Sequence, residues 1–108
     1  MYVVLCNCPP DQASPLAKTL VQERLAACVN VIPGVTSFYV WDGALVEDGE
    51  DTLLIKVSKE NHERLCERVR ALHPYDTVEI LALPVDVAAS DADYVQWVRS
   101  VKTMGGDS

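Results

Sequence analysis

The sequence feature that most constrains the fold is a long segment of strand-like residues, 29–57, with a tight-turn signal at its centre. Between Val29 and Trp41, β-branched and aromatic residues dominate and alternate, as is typical of a strand. Asp42-Gly43 is typical of a two-residue β-hairpin turn, after which Ala44–Val46 begins the return arm. Each predicted arm has roughly a dozen residues, whereas strands usually have about 5–6. Because a small sheet cannot cover arms of that length, we expect a second copy of the chain to cover their outer ends.

Two features interrupt the predicted hairpin. Pro33-Gly34 lies inside the first arm and predicts a bulge, because proline cannot donate to a strand ladder. Glu47–Asp51 in the second arm is acidic, and we expect a kink there before Thr52–Val57 completes the strand. Its four carboxylates could gather a hard divalent ion, but they lack the spacing of a calcium loop, so a solvated turn is the favoured interpretation.

The segments on either side of the hairpin are assigned from apolar periodicity and helix-cap signals. The predicted elements are, in chain order, a buried strand over Val3–Cys8, a helix from Asp11 or Ser14 to about Leu25 or Ala27, the hairpin, a second helix from the cap Ser58 to His73, a strand over Thr77–Val85, a short last helix with capping-box spacing at Ser90 and Asp93, and a frayed tail from about residue 102. This order predicts an α+β, ferredoxin-like βαββαβ sandwich with an extra C-terminal helix, in one domain over residues 1–108.

Charge and composition exclude several classes of protein. The formal net charge of -7 argues against a nucleic-acid partner, because such a field repels phosphate backbones. The longest apolar runs fall short of the ~20 residues that a membrane helix needs, so no membrane partner is expected. The start of the chain does not resemble a signal peptide, and the four cysteines are expected as reduced thiols in a cytoplasmic protein.

The candidate chemical residues are few. The sequence has no Ser-His-Asp arrangement, phosphate loop or Rossmann glycine pattern, and its two histidines make an enzyme an unfavoured interpretation. His62 falls on a helix stripe and is interpreted as a packed residue, whereas His73 lies at a helix-to-strand corner and is either functional or a helix cap. Cys6 and Cys8 form a C-x-C pair that would suit a soft ion such as Cu(I), but buried core thiols are the favoured interpretation.

Further candidates lie on strands and corners. Cys28 and Cys66 are interpreted as core residues. A second group combines aromatic and charged side chains that could line a cleft, with hydrophobic packing between subunits as the alternative. Its members are Tyr39, Trp41, Lys56, Tyr75 and Glu79.

Several ordered blocks of the sequence resemble the CutA divalent-cation-tolerance family over about residues 2–101. The blocks are Leu25–Asn30 with Ile32–Ser37, Tyr39–Gly43, Leu54–Lys56, Leu72–Tyr75, Glu79-Ile80 with Leu83–Val85, and Tyr94–Trp97. The resemblance implies a ferredoxin-like subunit in a tight homotrimer, similar to the PII signalling proteins, in which the long hairpin extends a neighbour's sheet.

The same resemblance implies functional residues. In the family, a cleft between subunits is lined by positions that match His73, Tyr75, Lys56, Trp41, Tyr39 and Glu79. Copper ligation proposed for the family carries over to Cys6, His73 and Glu79, with Cys8 at a position where many relatives also have a cysteine. The expected function is therefore a trimeric protein of divalent metal tolerance that binds a metal ion, with copper the favoured ion. The alternatives are a PII-like sensor of a small molecule or anion at the cleft, and a structural trimer that anchors a partner.

Overall fold

The computed structural model describes residues 1–103 and confirms the predicted order of elements. The elements are β1 (Tyr2–Cys8), α1 (Pro10–Gln22), β2 (Cys28–Trp41), β3 (Ala44–Val57), α2 (His62–Leu72), β4 (Leu81–Pro84), a 3-10 turn (Val87–Ala89) and α3 (Ala92–Ser100). Beyond residue 103 the predicted tail lies outside the described residues.

The four strands form one antiparallel sheet in the order β2-β3-β1-β4. This is the ferredoxin-like arrangement that the sequence predicted, with β1 between β3 and β4 and with α1 and α2 against one face. The hairpin arms β2 and β3 have 14 residues each, so the predicted unusual length is confirmed. The outer halves of both arms extend beyond β1, which pairs only with Asp51–Val57 of β3.

The turn and the bulge of the hairpin follow from local backbone chemistry. Asp42 and Gly43 both have positive φ, 53° and 78°, which is the conformation of a type I′ turn. The register shifts between Ile32 and Val35, as Pro33-Gly34 predicted, and Gly34 takes a φ of 74° there. Glycine adopts this left-handed conformation without steric cost, so the interruption is accommodated inside a continuous strand.

The core lies between the sheet and the two long helices. Alternate residues of each central strand face it, and the apolar stripes of α1 and α2 close it from the other side. Its fully buried members include Val4, Cys6 and Cys8 of β1, Leu53, Ile55 and Val57 of β3, Leu20 of α1, and Leu65 and Val69 of α2. Cys66 is buried as expected, whereas Cys28 is only half-buried, so its interpretation as a core residue was wrong.

The acidic segment Glu47–Asp51 is not a kink or a solvated turn, because it lies inside β3 and pairs with β2. Its backbone is held by the ladder, and two of its carboxylates are buried, with only 7% of Glu50 and 8% of Asp51 exposed. Asp51 accepts a hydrogen bond from the N–H of Gly34, over 3.3 Å. The aspartate therefore supplies a partner for the backbone that the bulge leaves unpaired.

Several element boundaries differ from the predictions. Helix α1 ends at Gln22, because Arg24 takes the left-handed conformation with a φ of 60°. Helix α2 begins at His62, after Asn61, although Ser58 accepts a hydrogen bond from the Asn61 N–H. The cap of α3 is Asp91, which accepts from the Tyr94 N–H over 2.9 Å.

Strand β4 is shorter than predicted, because it pairs with only Tyr2–Leu5 of β1. Farther along β1, the carbonyl of Asn7 meets the imidazole of His73 and the Asn7 side chain meets Glu79. These contacts take the place of the backbone hydrogen bonds by which residues 77–80 would otherwise extend β4 along β1. None of the helices within residues 1–103 has both the length and the apolar character that a membrane crossing requires.

Candidate functional site

A cleft with a volume of about 820 Å³ lies between the outer part of the β2-β3 hairpin and the segment 74–79. The long hairpin forms one wall, and the turn that follows α2 forms the other. The lining residues are Asn7, Ser37, Phe38, Tyr39, Trp41, Asp48, Glu50, Pro74, Tyr75, Asp76, Thr77 and Glu79. The structure therefore brings together four residues of the sequence-predicted cleft, namely Tyr39, Trp41, Tyr75 and Glu79.

The lining is acidic. Asp48, Glu50, Asp76 and Glu79 contribute carboxylates, and none of the twelve lining residues in the described part of the chain is Lys, Arg or His. Charges of one sign in a cleft with low-dielectric walls focus the electric field and attract ions of the opposite sign. The cleft of the single chain is therefore suited to a cation rather than an anion.

Two phenols hold the carboxylates of the cleft. Tyr75 donates its hydroxyl hydrogen to Oε2 of the buried Glu50 over 3.2 Å, and Tyr39 donates to Oδ2 of Asp48 over 3.3 Å. Burial, with help from the Glu50 charge, raises the pKa of Tyr75 to about 12, and burial with the Asp48 charge also raises the pKa of Tyr39. Both phenols thus remain protonated donors at neutral pH and orient the two carboxylates.

His73 is buried, with 7% of its surface exposed, and both of its ring nitrogens have partners. Nδ1 accepts from the backbone N–H of Tyr75 over 3.2 Å, and Nε2 lies 2.8 Å from the carbonyl oxygen of Asn7. These partners select the tautomer with the proton on Nε2. The His73 ring also packs against the Tyr75 ring, with centroids 4.7 Å apart. His73 therefore positions Tyr75 at the edge of the cleft.

Cys6 and Cys8 point into the core, which confirms their interpretation as buried core thiols. Both side chains are fully buried, because residues 4, 6 and 8 of β1 share the face covered by the helices. Desolvation and neighbouring carboxylates raise the pKa of Cys6 to about 12 and that of Cys8 to about 11. Between them, Asn7 points to the opposite face of the sheet and lines the cleft.

The predicted metal ligands are therefore separated in this chain. Glu79 lines the cleft, His73 lies behind Tyr75, and the two thiols lie in the core. Within residues 1–103, no group of three or more His, Cys, Asp or Glu side chains is arranged to hold a metal ion. The residues do not fit copper as one ligand set in the single chain, and copper ligation by Cys6, Cys8, His73 and Glu79 stays a prediction.

Lys56 is not among the residues that line the cleft in the single chain. It lies near the end of β3, and its ammonium group donates to Oδ1 of Asn30 on β2. Sequence reasoning also missed Asp48 and Glu50, because the acidic segment was interpreted as a turn. Period-two alternation could have found them, since positions 48 and 50 of an uninterrupted strand face the same side.

Comparisons with known proteins agree with this architecture. The family model of the CutA1 divalent ion tolerance protein matches residues 2–101. A divalent-cation tolerance protein CutA from Thermus thermophilus is 50% identical over 98 residues, which cover 90% of this chain and 93% of the relative. A second, from Pectobacterium atrosepticum, is 41% identical over 99 residues, which cover 91% and 88%.

A solved structure with the same fold agrees with these sequence matches. The PII-like protein CutA from Nostoc sp. PCC 7120, in apo form, superposes with a TM-score of 0.88 at 40% identity, and the match covers 92% of this chain and 94% of that one. The names of these relatives describe divalent-cation tolerance proteins and a PII-like protein. From its sequence and its architecture, the chain belongs to the CutA1 divalent ion tolerance protein family and has the PII-like fold.

Proposed function

We propose that this protein is a homotrimeric binding protein of the cellular response to divalent metal ions, and that the acidic cleft takes its cationic ligand. The observation that carries the proposal is the lining of four carboxylates without a basic side chain. Oxygen ligands of this kind are typical of sites for hard divalent cations. Glu50 is already buried and hydrogen-bonded to Tyr75, so part of the free-energy cost of ordering this carboxylate is met before the ion binds.

Copper is the ion that the family resemblance favours, and two sets of ligands are open to it. One is the cleft, whose lining carboxylates include those of Glu50 and Glu79. The other is the predicted set of Cys6, Cys8, His73 and Glu79, which requires a buried thiol to lose its proton. The raised pKa values of Cys6 and Cys8 disfavour the thiolate in the ion-free chain, which is why the proposal rests on the cleft.

A small organic cation is the second candidate ligand. A volume of about 820 Å³ exceeds what a single ion needs and lies within the roughly 300–1,000 Å³ that small-molecule sites have. Trp41, Tyr39 and Tyr75 supply aromatic faces, which attract cations through their quadrupole. The carboxylates argue against the anionic ligand that the PII-like alternative also included.

The homotrimer is proposed from the surface of the hairpin. Its outer end exposes large apolar side chains in one region, and such patches are typical of subunit interfaces. The exposed fractions are 64% for Phe38, 68% for Val40, 66% for Trp41 and 74% for Leu45. Sedimentation or light scattering of the purified protein is expected to give three times the chain mass, and a stable monomer would refute the trimer.

A reducing compartment such as the cytoplasm is also part of the proposal. All four cysteines are free thiols in the structure, and three of them are buried. Proteins of oxidising compartments more often use such residues in disulfides.

The experiment is calorimetric titration of the folded protein with Cu²⁺ and then with Zn²⁺. Glu50→Gln and Glu79→Gln are expected to weaken binding by tenfold or more, because each removes one carboxylate charge. The matched control is Glu60→Gln, which removes the same charge from an exposed position outside the cleft. Unchanged binding in both cleft variants would refute the cleft, and a loss confined to Cys6→Ala would assign the ion to the thiols.

A further inference from the structure

Three carboxylates of the acidic cleft lie in a row along β3, on the face of the sheet opposite α1 and α2. Asp48 and Glu50 are two residues apart on this strand, so their side chains point to the same face and begin about 6.6 Å apart. Thr52 is the next residue on that face and donates to Oδ1 of Asn7 over 2.6 Å. The Asn7 amide donates in turn to Oε1 of Glu79 over 3.4 Å, which holds this carboxylate beside the third position of the row.

The middle carboxylate of the row is buried and only partly hydrogen-bonded. Glu50 is 7% exposed, and its Oε2 accepts from the phenol of Tyr75 over 3.2 Å, whereas its Oε1 has no hydrogen-bond partner within residues 1–103. An ionised carboxylate has about four acceptor sites, and a buried charge that leaves most of them empty is costly in free energy. The cleft therefore holds a buried negative charge whose hydrogen bonds only a group from outside the described residues can complete.

Aromatic rings border the same row. Tyr39 and Trp41 of β2 lie opposite even-numbered residues of β3, so they face the same side of the hairpin as Asp48. Tyr75 borders the row from the other wall of the cleft. Ring faces attract ammonium groups, and they also provide apolar surface against which methylene groups are buried. The cleft thus presents carboxylates and apolar surface together, and a bare metal ion uses only the carboxylates.

The spacing of the row fits a chain of ammonium groups. Two amino nitrogens joined by four methylenes lie about 6 Å apart in an extended chain, since each bond of about 1.5 Å advances it by roughly 1.25 Å. That separation is close to the ~6.6 Å between neighbouring residues on one face of a strand. An ammonium group donates three hydrogens and accepts none, so each one can pair with its own carboxylate. A linear polyammonium ion therefore matches β3 with one charge at each acidic position.

We propose that the acidic cleft binds a linear polyammonium ion, an aliphatic chain whose amino groups are separated by three or four methylenes. Its nitrogens pair with Asp48, Glu50 and Glu79, and the central nitrogen completes the hydrogen bonds of Glu50. Its methylenes lie against the rings of Tyr39 and Tyr75. This inference rests on the proposed function, because it requires the cleft to take a cation, and it deepens that function by naming the class of organic cation.

The test is calorimetric titration of the folded protein at constant ionic strength with spermidine, a triamine that has spacers of three and four methylenes. Spermidine is expected to bind at one ion per chain. Each ammonium group removed, in 1,4-diaminobutane and then in butylamine, is expected to weaken binding about tenfold, because one charged hydrogen bond is lost. Mg²⁺ has the same charge as 1,4-diaminobutane without its methylenes and is expected to bind at least tenfold more weakly. Equal binding of these two dications would show that net charge alone attracts them, and would overturn the proposal.

Variants at the two ends of the row locate the ligand. Asp48→Asn and Glu79→Gln are each expected to weaken spermidine binding about tenfold, while Glu60→Gln, which removes a charge outside the cleft, leaves it unchanged. Neither end carboxylate is in the core, and circular dichroism establishes that both variants fold. Unchanged spermidine binding in both end variants would overturn the proposal. Binding of Cu²⁺ or Zn²⁺ in the cleft without binding of spermidine would overturn this inference alone, whereas absence of both would overturn the proposed function as well.

Discussion

The burial of Cys6 makes the stability of the protein depend on alkaline pH in a way that can be calculated. Its side chain is fully buried on the core face of β1, and desolvation raises its pKa from 9.0 to about 12. The folded chain therefore keeps a proton that the unfolded chain releases above pH 9. Because the folded state binds more protons there, stability falls as pH rises from about 9 to about 12.

The size of the effect follows from the two pKa values. At pH 10 the unfolded thiol is about nine-tenths ionised and the folded thiol is protonated, which removes about 1.4 kcal/mol from the free energy of unfolding. Over the whole interval the loss reaches about 4 kcal/mol for this one group. The pKa of Cys8 is raised to about 11, so a second loss of the same sign accompanies the first.

The assay is urea unfolding at pH 7 and at pH 10, with reductant present and at one protein concentration. Cys6→Ala is expected to lose about 1.4 kcal/mol less than the unmodified protein between the two pH values. The control is Val4→Ala, which makes a comparable cavity on the same face of β1 without removing an ionisable group. If Cys6→Ala and Val4→Ala showed the same pH dependence as the unmodified chain, the thiol would not be desolvated and the reasoning would fail.

Three further predictions concern single contacts, each measured by denaturant unfolding. Asn61→Ala is expected to lower the free energy of unfolding by about 1–3 kcal/mol, because the buried amide donates to the carbonyls of Arg24 and Val101 over 3.3 and 3.0 Å. A change near zero would show that water replaces the amide as the partner of those carbonyls. Gly43→Ala is expected to lower the free energy of unfolding by about 1–2 kcal/mol. The cause is the φ of 78° alone, since nothing lies within 4 Å of an added Cβ, and an unchanged stability would mean that the turn rearranges. Tyr75→Phe removes the donor to Glu50 and is expected to cost about 1 kcal/mol at pH 7, with no loss arguing against that hydrogen bond.

Much of the fold could be predicted from local sequence patterns. The hairpin was predictable because its period-two alternation, the Asp42-Gly43 turn and the Pro33-Gly34 bulge are properties of neighbouring residues. The position of α2 followed from its apolar stripe and from Pro74, which ends the helical region before it. The order of elements then allowed few topologies, and the ferredoxin-like arrangement was among them.

The site was less predictable, since its residues are separated in the chain. Tyr39, Trp41 and Tyr75 were identified from position and from family resemblance, whereas the aromatic Phe38 and the acidic residues Asp48 and Glu50 were not. The charge of Asp48 and Glu50 indicated exposure to solvent, whereas pairing with β2 placed both residues in a strand. Tyr75, which follows α2 in the chain, donates a hydrogen bond to Glu50. A contact between residues 25 positions apart leaves no local signal in the sequence.

The sequence by itself determined the order of the secondary-structure elements, the long hairpin and the acidic character of the chain, because these depend on composition and on near neighbours. Only the tertiary structure decided which face of β1 received Cys6 and Cys8, since both faces of a central strand can be apolar and the helices cover one of them. It also decided that His73 bridges the carbonyl of Asn7 and the backbone N–H of Tyr75 through its two ring nitrogens, and that the acidic residues of β3 meet those of the segment 74–79 across one cleft. Burial and charge are properties of the assembled surfaces, so the chemistry of the site was fixed only when distant segments came into contact.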